Sequence, residues 1–114
     1  MCLPAFEPVH YDDSVITKWI QFTVLEGDAS AFHSALQRVE KASKPEDGCL
    51  HYAAFVGTED ACLFTVLEIW DSEASLEAHR QSPHLAAFKK TCGEMIKNKI
   101  ALDLVSLEGP VSAS

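Results

Sequence analysis

The chain has 114 residues, 47% hydrophobic and 23% charged, with five glycines and five prolines. That length and composition predict one core burying roughly two-thirds of the unfolded surface, and argue against a disordered chain. Seventeen acidic against nine basic side chains give a formal net charge of −8, the wrong sign for a nucleic acid or an anionic membrane as partner.

Residues 1–13, with Pro4, Pro8 and no hydrophobic period, read as an extension that Phe6 and Val9 could dock onto the folded part. With Glu7, Asp12 and Asp13 the same segment lacks the cationic start and apolar core of an export signal, and the chain carries no apolar run of about 18 residues. The expectation is a soluble, cytoplasmic protein with its folded domain over residues 14–108 and a tail over 109–114.

From Val15 to Leu25 the β-branched and aromatic content predicts a strand. One face carries Ile16, Ile20, Phe22 and Val24, interrupted by Lys18; the other mixes Trp19, Gln21 and Thr23. Gly27-Asp28 breaks it, and Phe32, Ala35, Leu36 and Val39 follow at helical spacing, with an end expected near Ser43-Lys44-Pro45. Cys49–Val56 and Cys62–Trp70 are strand-like runs around the polar turn Gly57-Thr-Glu-Asp60. Asp71 and Ser72 are natural caps for a short helix reaching Arg80, and Ser82-Pro83 restarts helix with a capping hydroxyl and a proline at the first turn. Leu85, Phe88, Cys92 and Met95 continue it as an apolar stripe, and Ile100–Leu107 closes as a strand.

The order βαββααβ predicts an α+β, ferredoxin-like plait, an antiparallel sheet with helices on one face. The other face then carries Trp19, Leu63, Leu67 and Ile69, which suit water poorly. A homodimer stacking two such sheets into an α+β barrel is the economical solution.

The four cysteines form no CxxC pair, and Cys49 with His51 is too small a set for a zinc shell, so reduced thiols and no metal are expected. Phosphate-binding loops, dinucleotide glycine fingerprints, GxSxG and HExxH are absent, which agrees with a site that needs no cofactor.

Three stretches carry a family resemblance: Gly48-Cys-Leu-His-Tyr52, Glu68-Ile-Trp70, and Leu76-x-x-His79-x-x-Ser82-Pro83-His84-x-x-x-Phe88. In this order and spacing the chain resembles the antibiotic biosynthesis monooxygenase (ABM) family over about Val15 to Leu107. The resemblance implies a dimeric α+β barrel and a pocket between sheet and helices. The family includes cofactor-free oxygenases of quinols and anthrones, haem-degrading enzymes, an isomerase and members without assigned substrate, so it implies the fold more narrowly than the reaction.

Within that frame His79 is the first candidate for base or substrate hydrogen-bonder, against a structural reading as a helix-terminal cap. Trp70 is either an N–H donor to a substrate oxyanion or a core aromatic. Glu68 is either a buried structural acceptor or a tuned base. Phe22, Phe64 and Phe88 are expected as apolar walls, and His84, in the first turn of the next helix, is either a substrate contact or a part of the local structure. A one-residue difference in strand register decides whether His51 faces the pocket or the dimer partner.

Val66 stands where some anthrone oxygenases of the family place an asparagine, which puts close mimicry of them in doubt. The asparagine and histidine of the haem-degrading branch are missing near Ile20-Gln21 and Phe88-Lys89, which argues against haem. The leading expectation is a cofactor-independent oxygenase of a small electron-rich aromatic. The alternatives are a cofactor-free isomerase of a small hydroxy-ketone, and a non-catalytic dimer that binds a metabolite or serves under stress.

Overall fold

A computed structural model describes residues 15–107. The extension expected over 1–13 and the tail over 109–114 lie outside the described residues. The elements are β1 (Ile16–Val24), α1 (Ala29–Ser43), β2 (Cys49–Val56), β3 (Leu63–Trp70), α2 (Glu73–Arg80), α3 (Pro83–Cys92) and β4 (Ile96–Leu104), with single 3-10 turns at Glu26–Asp28 and Gly93–Met95. The strands form one antiparallel sheet in the order β2-β3-β1-β4, as the ferredoxin-like reading requires.

Local chemistry accounts for most boundaries. Ser72 Oγ accepts the Ser75 N–H at the start of α2, and Ser82 Oγ accepts the Leu85 N–H at the start of α3, where Pro83 has no N–H to leave unpaired. The α1 stripe Phe32, Ala35, Leu36 and Val39 is buried on the sheet. Phe32 stands at the centre of an aromatic cluster, its ring 4.9 Å from Phe64 and 5.4 Å from both Phe22 and Phe88.

Two features depart from simple strand patterning. β4 begins at Ile96 and ends at Leu104, earlier at both ends than the expected Ile100–Leu107. Lys97-Asn-Lys99 carries no strand composition, yet Asn98 and Lys99 pair with Thr23 and Phe22 because an edge strand tolerates polar side chains. In β2 the register shifts between Cys49, which pairs with Trp70, and His51, which pairs with Ile69. Leu50 is the extra residue of this bulge, so Cys49 and Tyr52 share the helix-covered face while His51 points to the other.

That other face is not covered by any of the described residues. Trp19 pairs with Leu67 on one side and Leu102 on the other, and Phe55, Ile100, Leu102 and Leu104 are exposed. Cys49, Cys62 and Cys92 are free thiols; burial pushes those of Cys49 and Cys92 up, which keeps them protonated and poor as nucleophiles. No helix among the described residues is long and apolar enough to cross a membrane.

Gly48 enters β2 with φ at 81°, and its carbonyl accepts the Asp71 N–H at 2.8 Å, joining the start of β2 to the end of β3. A Cβ there would collide with the Ser75 and Asp71 side chains. Gly48→Ala is expected to cost about 1–3 kcal/mol of folding free energy, read as a lowered urea midpoint; an unchanged midpoint would show that the turn relaxes freely.

Candidate functional site

Between the sheet and its helices lies a cavity of about 280 Å³. Ile20 and Phe22 of β1 and Val66 of β3 give it an apolar floor, and Leu76, Leu85 and Phe88 close over it from α2 and α3. Among these walls stand three polar side chains that are themselves buried: Tyr52, Glu68 and His79. A mostly apolar hollow with a few converging polar groups is the usual form of a small-molecule site.

His79, near the end of α2, is only 3% exposed. Its Nδ1 lies 2.7 Å from Oε2 of Glu46, a residue of the loop joining α1 to β2. The same oxygen lies 2.8 Å from Nε2 of His84, in the first turn of α3. A carboxylate oxygen can only accept, so both imidazoles present N–H groups to it. Nδ1 of His79 thereby carries a proton, and in the neutral imidazole Nε2 holds the lone pair. Nε2 has no protein hydrogen bond among the described residues and is not sealed from solvent, which leaves it open where His79 lines the cavity. A buried imidazole with a fixed tautomer and a bare nitrogen can accept a proton from a bound ligand.

Glu46, His79 and His84 also bring three ligand atoms within 4.8 Å of one another, the one such group found among the described residues. Their N···O contacts of 2.7 and 2.8 Å are hydrogen-bond lengths. A tetrahedral zinc site with bonds of about 2.0–2.1 Å separates its ligand atoms by about 3.3 Å. A cation would have to open contacts that already satisfy all three groups.

Tyr52 packs beside this pair, its ring 5.5 Å from His79 and 6.5 Å from Trp70. Burial, helped by the charge of Glu68, holds its phenol far above the ordinary value of 10.0, and the Ser43 hydroxyl offsets part of that shift. Tyr52 therefore keeps its O–H across neutral and mildly alkaline pH. Glu68 is 3% exposed and accepts the Trp70 indole N–H at 2.8 Å. The indole ring lies 4.7 Å from His79 at an interplanar angle of 33°, so the two rings pack together.

Of the residues singled out from sequence, Phe22, Glu68, His79 and Phe88 line the cavity. His84 stands behind His79 and shares its carboxylate. Three others lie outside the lining. Trp70 is fully buried outside the lining, and its N–H is given to Glu68, which is the core-aromatic alternative. Phe64 faces α1, stacked against Phe32 as core. The Leu50 bulge turns His51 onto the open face, away from the cavity.

Sequence reading missed Glu46 and Tyr52. Glu46 is 33 residues from His79 and 38 from His84 in the chain and sits in an ordinary polar turn, so no local pattern marks it. Tyr52 had a signal, since it lies within the Gly48–Tyr52 stretch and alternates with His51.

Known proteins share both the fold and the sequence. PA3566 from Pseudomonas aeruginosa superposes with a TM-score of 0.78 at 28% identity, covering 82% of this chain and 95% of that one. "Putative monooxygenase Rv0793" of Mycobacterium tuberculosis is 26% identical over 77 residues, 68% of this chain and 75% of that protein. N-terminal EF-hand calcium-binding protein 3 of Mus musculus is 33% identical over 95 residues, 77% of this chain but 27% of that protein. The chain thus spans about a quarter of the length of the EF-hand relatives it matches. Residues 15–91, which hold β1 through most of α3 and with them Glu46, Tyr52, Glu68, His79 and His84, match the family model described as antibiotic biosynthesis monooxygenase, and the chain belongs to that family.

Proposed function

We propose that the chain is a cofactor-independent monooxygenase whose substrate is a small electron-rich hydroxy-aromatic of quinol or anthrone type. The observation that carries this reading is the 2.7 Å contact from Glu46 to His79 Nδ1, which leaves Nε2 bare at an apolar cavity. Nε2 removes a proton from the substrate, and the resulting electron-rich anion gives an electron to dioxygen, the role a flavin plays elsewhere. Recombination forms a carbon–oxygen bond as a hydroperoxide. Loss of water from it leaves one oxygen as a carbonyl, the second departs in the water, and both electron pairs come from the substrate's own bonds. The protein's contribution is orientation, exclusion of water and a stabilised anion, with the Tyr52 O–H as donor.

A second reading keeps the cavity without the oxidation. It is favoured by the match to calcium-binding proteins whose name carries no oxidative activity, and it covers both an isomerase using the same base and a non-catalytic binder.

Oxygen uptake by chelator-treated protein with a quinol and anthrone panel, measured against autoxidation in buffer, separates these readings. Uptake above the control is expected, falling about a hundredfold or more in His79→Ala and clearly in Glu46→Gln. No enhancement with any substrate would move the assignment to the isomerase or binder.

The Tyr52 role has its own test in alkaline stability. The unfolded chain releases the Tyr52 proton near its ordinary value of 10.0 whereas the folded chain keeps it. The stability tied to that proton is fully present below about pH 10 and is lost as pH rises toward the folded value. The denaturation midpoint of the wild type is expected to fall more steeply above that pH than the midpoint of Tyr52→Phe; equal slopes would contradict a retained phenol.

The open sheet face suits a second copy of the chain, since Trp19, Leu67 and Leu102 would be buried between two stacked sheets. Light scattering at micromolar concentration is expected to give twice the monomer mass, and Trp19→Glu to give the monomer. A monomeric wild type would remove the dimer.

A further inference from the structure

The cavity sorts its charges against the trend of the whole chain. Of nine basic side chains in the protein, four line it: Lys18, Arg80, Lys89 and Lys99. Among the described residues a single carboxylate lines it, Glu68, and that one is buried and holds the Trp70 indole. In a protein of formal charge −8 this is a local reversal of sign at one opening.

The cations are also sorted by depth. The apolar lining residues Ile20, Phe22 and Val66 are shielded from water, whereas Arg80, Lys89 and Lys99 are exposed, which puts the charge at the rim. Among the described residues no helix covers β4, which opens the rim: Lys99, Ala101 and Asp103, which share the helix side of the sheet with Phe22, Ile20 and Lys18, are all exposed.

Two of the four cations already have partners. Lys18 is paired with Asp103, and Arg80 with Glu73 and Glu77 of its own helix. Lys89 and Lys99 make no close ion pair among the described residues, and the charge of Lys89 reaches only the exposed Glu77 carboxylate from a distance. Lys99 lies with its ammonium 5.9 Å from the centre of the Phe22 ring, at the border between rim and apolar interior. Two ammonium groups without a close ion pair, one on α3 and one on β4, concentrate positive potential at the entrance to a low-dielectric hollow.

We propose that the ligand of this cavity is amphipathic: an apolar ring system that fills the interior, carrying one oxyanion group, a carboxylate or a phosphate ester, held at the rim by Lys89 and Lys99. The inference rests on the cavity being the substrate site and narrows the substrate class to anionic aromatics. Neutral aromatics of the same shape are discriminated against because they bring no charge to meet the two ammonium groups at the rim. Lysines act as point charges rather than as a bidentate fork, so they select charge and position more than the kind of oxyanion.

The test is calorimetric titration of the full chain with 2-naphthoate, 2-naphthyl phosphate and neutral 2-naphthalenemethanol, in low salt at pH 7. The better-placed anion is expected to bind about fivefold tighter than the alcohol, a factor suited to a partly exposed ion pair, with the preference shrinking as salt is added. Which of the two anions gains more identifies the oxyanion. In the Lys89→Gln/Lys99→Gln double variant the preference is expected to vanish while the alcohol binds as before, which also shows that the variant is folded. Lys41→Gln, on the exposed side of α1 and outside the cavity, is expected to change nothing. Equal binding of anions and alcohol by the wild type, or a preference that survives the double variant, overturns the proposal while leaving the cavity as the site. Binding of none of the three overturns both.

Discussion

One oxygen of Glu46 receives the N–H groups of two imidazoles, from His79 on α2 and His84 on α3. That convergence ties the α1–β2 loop to both helices that roof the cavity. It fixes the tautomer of His79, and through it which nitrogen is free for chemistry. The other buried polar groups are arranged around this centre. Trp70 packs with the imidazole and gives its N–H to Glu68, and Tyr52 packs against the ring with its phenol protonated. Each has a partner or an opening, so the apolar cavity can contain them without a buried polar group left unpaired.

The site exists because the helices cover the sheet unevenly. α1, α2 and α3 close over β2, β3 and β1, where Phe22, Phe32, Phe64 and Phe88 interlock. β4 is almost wholly exposed, and the space beside it remains hollow. The same incomplete roof gives the cavity an apolar interior and a cationic rim, since only side chains at the uncovered edge can keep a charged head in water. Lys18, which looked from sequence like a break in an apolar strand face, lines this hollow.

Much of the fold was legible because its signals are local. Helical spacing in Phe32, Ala35, Leu36 and Val39, capping hydroxyls at Ser72 and Ser82, and alternation in β3 act within a few residues, and the structure follows them. β4 was misplaced at its start because Lys97-Asn-Lys99 is strand only by pairing with β1, a contact made across more than seventy positions of the chain. His79 could be singled out by type and place, but the group that orients it could not, because Glu46 reaches it only when the loop after α1 folds back over α2.

While His79 was singled out by the family resemblance, composition and periodicity alone determined an α+β chain of βαββααβ order with one sheet face covered by helices. Those properties depend on interactions between near neighbours. The tertiary structure decided the rest: that a one-residue bulge at Leu50 sends His51 to the open face, that the Trp70 N–H is spent on Glu68, and that four cations of an acidic protein line one cavity. These depend on strand register and on side chains distant in sequence meeting in space, which no local pattern of residues encodes.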